Sequence, residues 1–453
     1  MTRRHHLSAL LTLALLPNLA QAQAPDIGSR LELFVDDYLI ESLDGVELVM
    51  HRPFEMPSDH PPSNGHYATI IADTVAGKPL FRMYNRGGIS EHDGDDREFT
   101  AYFESDDGIN WRAPSLGVFE VDGTTDNNII LAHDPPFSHN FSPFLDARHG
   151  VPDDQRFKAL AGTLESGLHA FVSGDGVHWK KLRDKPVFTD GIFDSQNVSF
   201  WSVTEGMYVC YFRTWTGEGY TGLRTISRTT SDDFINWSPP VAMHPNDDGE
   251  HLYTSGTHPY FRAPHFYIAL ATRFQPDRAA ATDILLMTSR GGNHFDRTFM
   301  EAFIPPGLDS LEWANRANYA AVGVIPTGEA EMSVYVRGRR YVLRTDGFAS
   351  ARAGYNMGTL TTKPFRFDGN ALELNVATSA SGLVKVEVLD ESGAPIDGFT
   401  LEDAEAIYAN AIRHRVSWNG STDVGALSGR TVKLRFTMQD ADLYSFRFVS
   451  ASS

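Results

Sequence analysis

From residue 31 onward the chain is built of short runs in which apolar and polar positions alternate, beginning with LELFVDDYLIE at 31–41. Between them lie compact aromatic and β-branched runs bounded by Gly, Asp, Asn and Pro. A period of two with that punctuation predicts strands joined by tight turns, and long helical periodicities are scarce. One short phrase recurs four times: SDDGINW ending at Trp111, SGDGVHW at Trp179, SDDFINW at Trp237 and SRGGNHF at Phe295. The closing aromatics stand 68, 58 and 58 residues apart, too far for one unit of a helical solenoid. A repeat of that length filled with strands predicts a β-propeller with one four-stranded blade per repeat. The phrase suits a turn between outer strands: Ser and Asp bond the local backbone, Gly takes a positive φ, and the aromatic packs between blades.

Five blades follow from the spacing, at about 65–111, 141–179, 194–237, 250–295 and 318–347. The strand at 31–41 lies far from its own repeat and is expected to complete the last blade, removing exposed sheet edges. Around residue 351 the character changes to short strands with tight turns. The fold class is therefore all-β: a propeller over 30–350, followed at 351–453 by a β-sandwich with jelly-roll-like topology.

The first 22 residues carry Arg3 and Arg4, an apolar run at 7–16 and a small-residue site at Ala20-Gln21-Ala22. That is the pattern of a cleaved secretory signal, and the run is too short for a membrane span. A secreted or periplasmic protein is expected. The single Cys210 sits in an apolar strand, so an intrachain disulfide is excluded and a buried thiol is expected. The net charge of −19 makes nucleic acid an improbable partner, and an anionic substrate then needs a local group of Arg and His.

The phrases, the spacing and the C-terminal strands together resemble the five-bladed-propeller glycosidases, the superfamily of invertase-like and arabinanase-like enzymes. FVDDYLI, RFKAL, FDSQNVSFW, HPYFRAPH, SRGGNHFDR and DADLYSFRF resemble an uncharacterised-type bacterial family within it. The resemblance implies a central pocket with two Asp and one Glu acting as acid, base or nucleophile, and sugar-orienting group. The WMNDPNG, RDP and EC segments of invertase-like enzymes are absent here, so those roles transfer only by position in the blades.

Propeller loops collect around a central pocket, which directs attention to polar residues at the start of each repeat. Blade two offers His139, Asn140 and Asp146, the last in the place of the superfamily's transition-state-stabilising Asp. Blade three offers Asp194, Gln196 and Asn197 ahead of an apolar strand, followed by Arg213 and Trp215, whose ring suits stacking on a sugar face. Blade four offers Glu250, Tyr253, His258 and Arg262, with Glu250 as a general acid and His258 and Arg262 as ligands for a carboxylate or sulfate. Blade five offers Glu331. Each has an ordinary structural reading too: a turn Asp, an Asx-turn, a satisfied interior His, a core Trp. Asp36 and Asp37 read as structural.

No metal motif, nucleotide loop or paired Cys is visible, so no cofactor is expected. The acidic run at 93–96 is of a kind that holds calcium, although exposed acidic turns are the common explanation. These features favour a glycoside hydrolase acting on a polysaccharide or its fragments, with a sulfated fucan or other anionic glycan as one substrate class. A polysaccharide lyase using Tyr253 or His258 with Arg262, and a non-catalytic glycan-binding protein, remain the alternatives. Oligomeric state is left open.

Overall fold

The computed structural model describes residues 24–62, 65–88 and 91–450. The expected signal segment at 1–22 lies outside the described residues. Strands dominate, and helical turns among the described residues are the short 3-10 segments Asp153–Gln155, Ser310–Trp313 and Gly425–Leu427.

Five four-stranded antiparallel sheets make a five-bladed propeller. Blade one runs from the inner strand His66–Val75 through Lys78–Gly87 and Phe99–Ser105 to the outer Ile129–Leu131. Blades two and three repeat the order from the inner strands Ser142–Leu145 and Val198–Ser202. In blade four the inner position is shared by His251–Thr254 and Thr257–Tyr260, both paired to the long strand Ala263–Gln275. Blade five comprises Ile325–Pro326, Glu331–Val336 and Arg339–Arg344, and its outer strand is Phe54–Met56.

Ring closure therefore falls to residues 54–56 and not to 31–41 as expected. The earlier strand is used elsewhere: Glu32 and Leu33 pair with Phe446 and Ser445 of the last strand, and Ile40–Asp44 pairs with Gly358–Thr362. Its side chains explain the choice. Leu31, Leu33 and Val35 join the core of blades four and five, while Phe34 and Leu39 point into a second core of Phe365, Phe436, Phe446 and their neighbours. An alternating strand with two apolar destinations belongs between two bodies, whereas an outer blade strand has only one.

Together with Val46–Met50 and the strands from Ala349 onward, these N-terminal strands form one eight-stranded sheet. Its two long strands, Ala371–Asp390 and Val432–Val449, pair along most of their lengths around that second core.

In blades one to three the recurring phrase links the third and fourth strands, as its composition predicts, and in blade four it follows Ala281–Ser289. Ser105 Oγ accepts from the backbone of Gly108, and Asp107 accepts from Ile109 and Asn110. Ser173 with Asp175, and Ser231 with Asp233, repeat the geometry. The fourth position has φ of 72°, 78°, 67° and 65° at Gly108, Gly176, Phe234 and Gly292. The aromatics bridge blades: Trp111 Nε1 donates to the hydroxyl of Tyr335 in blade five at 3.1 Å. Cys210 is fully buried, and burial alone pushes its thiol far up, which removes it from nucleophilic chemistry.

Candidate functional site

The starting ends of the inner strands converge on a polar cavity of about 140 Å³ at the propeller mouth. Every blade supplies part of its wall. His66 and Tyr67 begin the inner strand of blade one, His139 and Asp194 precede those of blades two and three, Tyr253 lies on that of blade four, and Arg316 and Tyr319 precede that of blade five. Arg86 and Asp93 are added from blade one.

Three tyrosine rings form its floor, edge to face: Tyr253 and Tyr319 have centroids 5.5 Å apart, and Tyr67 and Tyr319 6.0 Å. Such packing fixes the phenols and leaves their hydroxyls to find polar partners. Arg316 Nη1 donates to the Tyr253 hydroxyl at 3.1 Å, and the Arg213 guanidinium lies 4.4 Å from the Tyr253 ring centroid. Burial pushes the Tyr253 phenol up, but the charges of Arg213 and Arg316 outweigh it, so its pKa is lowered. Burial lowers His66 to about 4, helped by Arg337, Arg86 and Arg316, so this imidazole is neutral at physiological pH.

Asp194 sits on the wall with its side chain 31% exposed and is ion-paired to Arg213. Opposite, His139 Nδ1 lies 3.0 Å from Glu98 Oε2 and 2.7 Å from Arg86 Nη1. Asp93, Glu98 and His139 offer three donor atoms within 4.8 Å of one another, a spacing that one divalent cation can span. Arg86 already occupies His139 Nδ1, so a cation bound there has to displace that contact.

Of the residues singled out from sequence, Asp194, Tyr253 and His139 line this cavity and Arg213 backs it. Trp215 stands beside it, its ring under the guanidinium of Arg224 at 4.3 Å. The other expected catalytic carboxylates are engaged elsewhere. Asp146 is buried in contact with Lys158 Nζ and the Tyr208 hydroxyl, both at 2.6 Å. Glu250 is held by Arg297 and accepts from the backbone of Asp247, and Glu331 is held by Arg340 and Thr327. All three neutralise neighbouring strands instead of facing the mouth.

The expected sugar ligands divide in the same way. Gln196 donates to the carbonyls of Tyr67 and Ala68 at 3.1 and 3.2 Å, tying blade three to blade one. His258 lines a separate, mainly apolar cavity of about 270 Å³ along the inner strands. Its Nε2 accepts from Val324 N–H, its Nδ1 meets the Gly256 carbonyl, and burial lowers it to about 4. Arg262 pairs with the fully buried Asp346. Asn140 bonds Gly162 and the Phe193 carbonyl, and the Asn197 amide is buried without a hydrogen-bond partner among the described residues. Asp36 pairs with Arg290, in keeping with its structural reading.

Sequence reasoning did not single out His66, Arg86, Glu98, Arg316 and Tyr319. His66 and the pair Arg316 and Tyr319 do stand at the starts of repeats one and five, so the rule that found Asp194 also reaches them. Arg86 and Glu98 lie on the second strand of blade one and ahead of its third, where no repeat signal marks them.

No family model matches the chain, and no curated protein matches it. Among solved structures, a protein described as a glycoside hydrolase aligns at 14% identity over 65% of this chain and 91% of its own, with a TM-score of 0.44. A family 43 arabinoxylan arabinofuranohydrolase from Bacillus subtilis aligns at 13% identity over 87% and 96%, with a TM-score of 0.39. An N-acetylgalactosamine deacetylase from F. plautii aligns at 12% identity over 87% and 95%, with a TM-score of 0.40. The five-bladed architecture itself rests on the strand pairing described above, and no chemistry is carried over from these alignments.

Proposed function

We propose that this chain is a glycoside hydrolase that works at the mouth cavity. The observation that carries the reading is the convergence of ionisable groups from all five blades on one small pocket floored by tyrosines. Two carboxylates reach it from different blades, Asp194 from blade three and Asp93 from blade one. Hydrolysis of a glycosidic bond needs one carboxyl to protonate the leaving oxygen and another to act as base or nucleophile. Asp194, ion-paired to Arg213, suits the second role, and Asp93, open to solvent at the rim, is the carboxyl left for the first.

Tyr253 favours one competing reading. A phenol made more acidic by two arginines can take the proton next to a uronate carboxylate, with the bond to the leaving oxygen breaking and that oxygen taking up a proton. The two reactions differ in product. On a panel of plant and algal polysaccharides, hydrolysis releases reducing ends without ultraviolet absorbance, and Asp194→Asn is expected to abolish that release. Absorbance from an unsaturated product that vanishes in Tyr253→Phe would replace hydrolysis with elimination. Binding with neither signal on any glycan would leave a lectin-like protein.

A further inference from the structure

Elsewhere in the propeller, buried arginines are answered by carboxylates: Arg82 by Asp73, Arg228 by Glu205, Arg297 by Glu250. At the mouth the buried Arg213 is answered too, by Asp194, but it is joined by two further guanidinium groups. Three guanidinium groups surround the single ring of Tyr253: Arg213 at 4.4 Å, Arg224 at 5.2 Å and Arg316 at 5.9 Å from its centroid. One carboxylate, Asp194, pairs with Arg213, and no ion-pair partner of Arg224 or Arg316 is found among the described residues. Arg213 is 4% exposed, and among the described residues its Nη1 finds no hydrogen-bond acceptor; its Nε and that of Arg224 lack one too, as do those of Arg228 and Arg297.

A chain with 58 acidic and 39 basic residues has carboxylates to spare, yet among the described residues only Asp194 answers the three guanidinium groups gathered here. Buried donors without acceptors and clustered like charges are both unfavourable unless something else completes them. We infer that the missing partner is an anionic substituent of the sugar, a carboxylate or a sulfate ester, held by Arg316 in the field of Arg213 and Arg224. The Tyr253 hydroxyl accepts from Arg316, so its own proton is free to donate to the same anion. This inference rests on the mouth being the glycan site and adds the class of glycan.

The test is titration calorimetry at fixed ionic strength with glucuronate, inorganic sulfate and glucose, on the full chain and on Arg316→Ala and Arg316→Lys. Arg316 is exposed, so both variants are expected to fold. Saturable binding of glucuronate or sulfate but not glucose, weakened about tenfold or more in Arg316→Ala and partly restored in Arg316→Lys, is the expected result. Glucuronate alone binding identifies a carboxylate, and sulfate alone a sulfate ester. Equal binding of glucose, binding unchanged in Arg316→Ala, or no binding of either anion would overturn the inference. Because the readout is binding, it separates from the catalytic reading: hydrolysis of a neutral glycan without anion binding sinks only the anion site, and anion binding without turnover sinks only the hydrolase.

Discussion

Asp146→Ala leaves the ammonium of Lys158, whose side chain is 5% exposed, buried without its carboxylate. Breaking a buried pair in this way is expected to cost about 3–5 kcal/mol, read as a lower denaturant midpoint. Asp194→Asn also takes the carboxylate from a buried cation, Arg213, but leaves an amide oxygen facing it at the partly open mouth, so a smaller fall in midpoint is expected, together with a loss of about a hundredfold or more in turnover. If the two variants exchanged behaviours, the assignment of structure to one and chemistry to the other would fail. Both aspartates look alike in sequence, each just ahead of or at the end of an inner strand. What separates them is which cation the fold brings near: Asp146 meets Lys158 and Tyr208, 12 and 62 residues away. Glu250 and Glu331 likewise meet the cations the fold brings near, Arg297 and Arg340, 47 and 9 residues away.

The turn phrase was the most legible element, because its geometry is set by local hydrogen bonds that need no distant partner. Gly108 has φ of 72°, and a Cβ there would come within 2.8 Å of Ile325 Cδ1. Gly108→Ala is therefore expected to destabilise by about 1–2 kcal/mol, measurable by thermal unfolding. The third copy carries Phe234 at the same left-handed position, its buried ring packed on Phe144, Tyr208 and Trp237. Phe234→Gly relieves the backbone but empties the core, and a net loss of about 2–4 kcal/mol is expected because ring burial outweighs strain. The phrase also predicts an acid limit. Partial burial pushes the Asp107 and Asp233 carboxyls up, but the backbone N–H groups of the turn pull them down to about 2. A depressed carboxylate stabilises the fold above its unfolded value near 4, and that contribution disappears as pH falls from about 4 to 2. The ring-closing strand was illegible by comparison, because Phe54–Met56 is three residues long and carries no alternation that marks it.

At the scale of the molecule, His258 sets a second pH window. Buried and lowered to about 4, it favours the folded state above its unfolded value near 6.5, and that support fades as pH drops from about 6.5 to 4. His66, lowered to the same value, acts in the same window, so wild-type stability is expected to decline in two stages on acidification, the upper one shallower in His258→Gln; a pH series of chemical denaturation checks both. The overall plan of repeats, blades and a second body of strands was readable because each blade is written locally in the chain. The joining of the two bodies was not, because it depends on Glu32 finding Phe446. That pairing imposes a timetable on biosynthesis. The chain leaves the ribosome N-terminus first, so the strand at 46–50 emerges with its apolar side chains and no partner until residues 349–353 follow, and the strand at 32–33 until residues 445–446 do. Closing so long a loop adds little entropy cost over a shorter one, since that cost grows only with the logarithm of length. The delay is kinetic, and throughout it the first strands are open to a protease, a chaperone or another copy of the same chain.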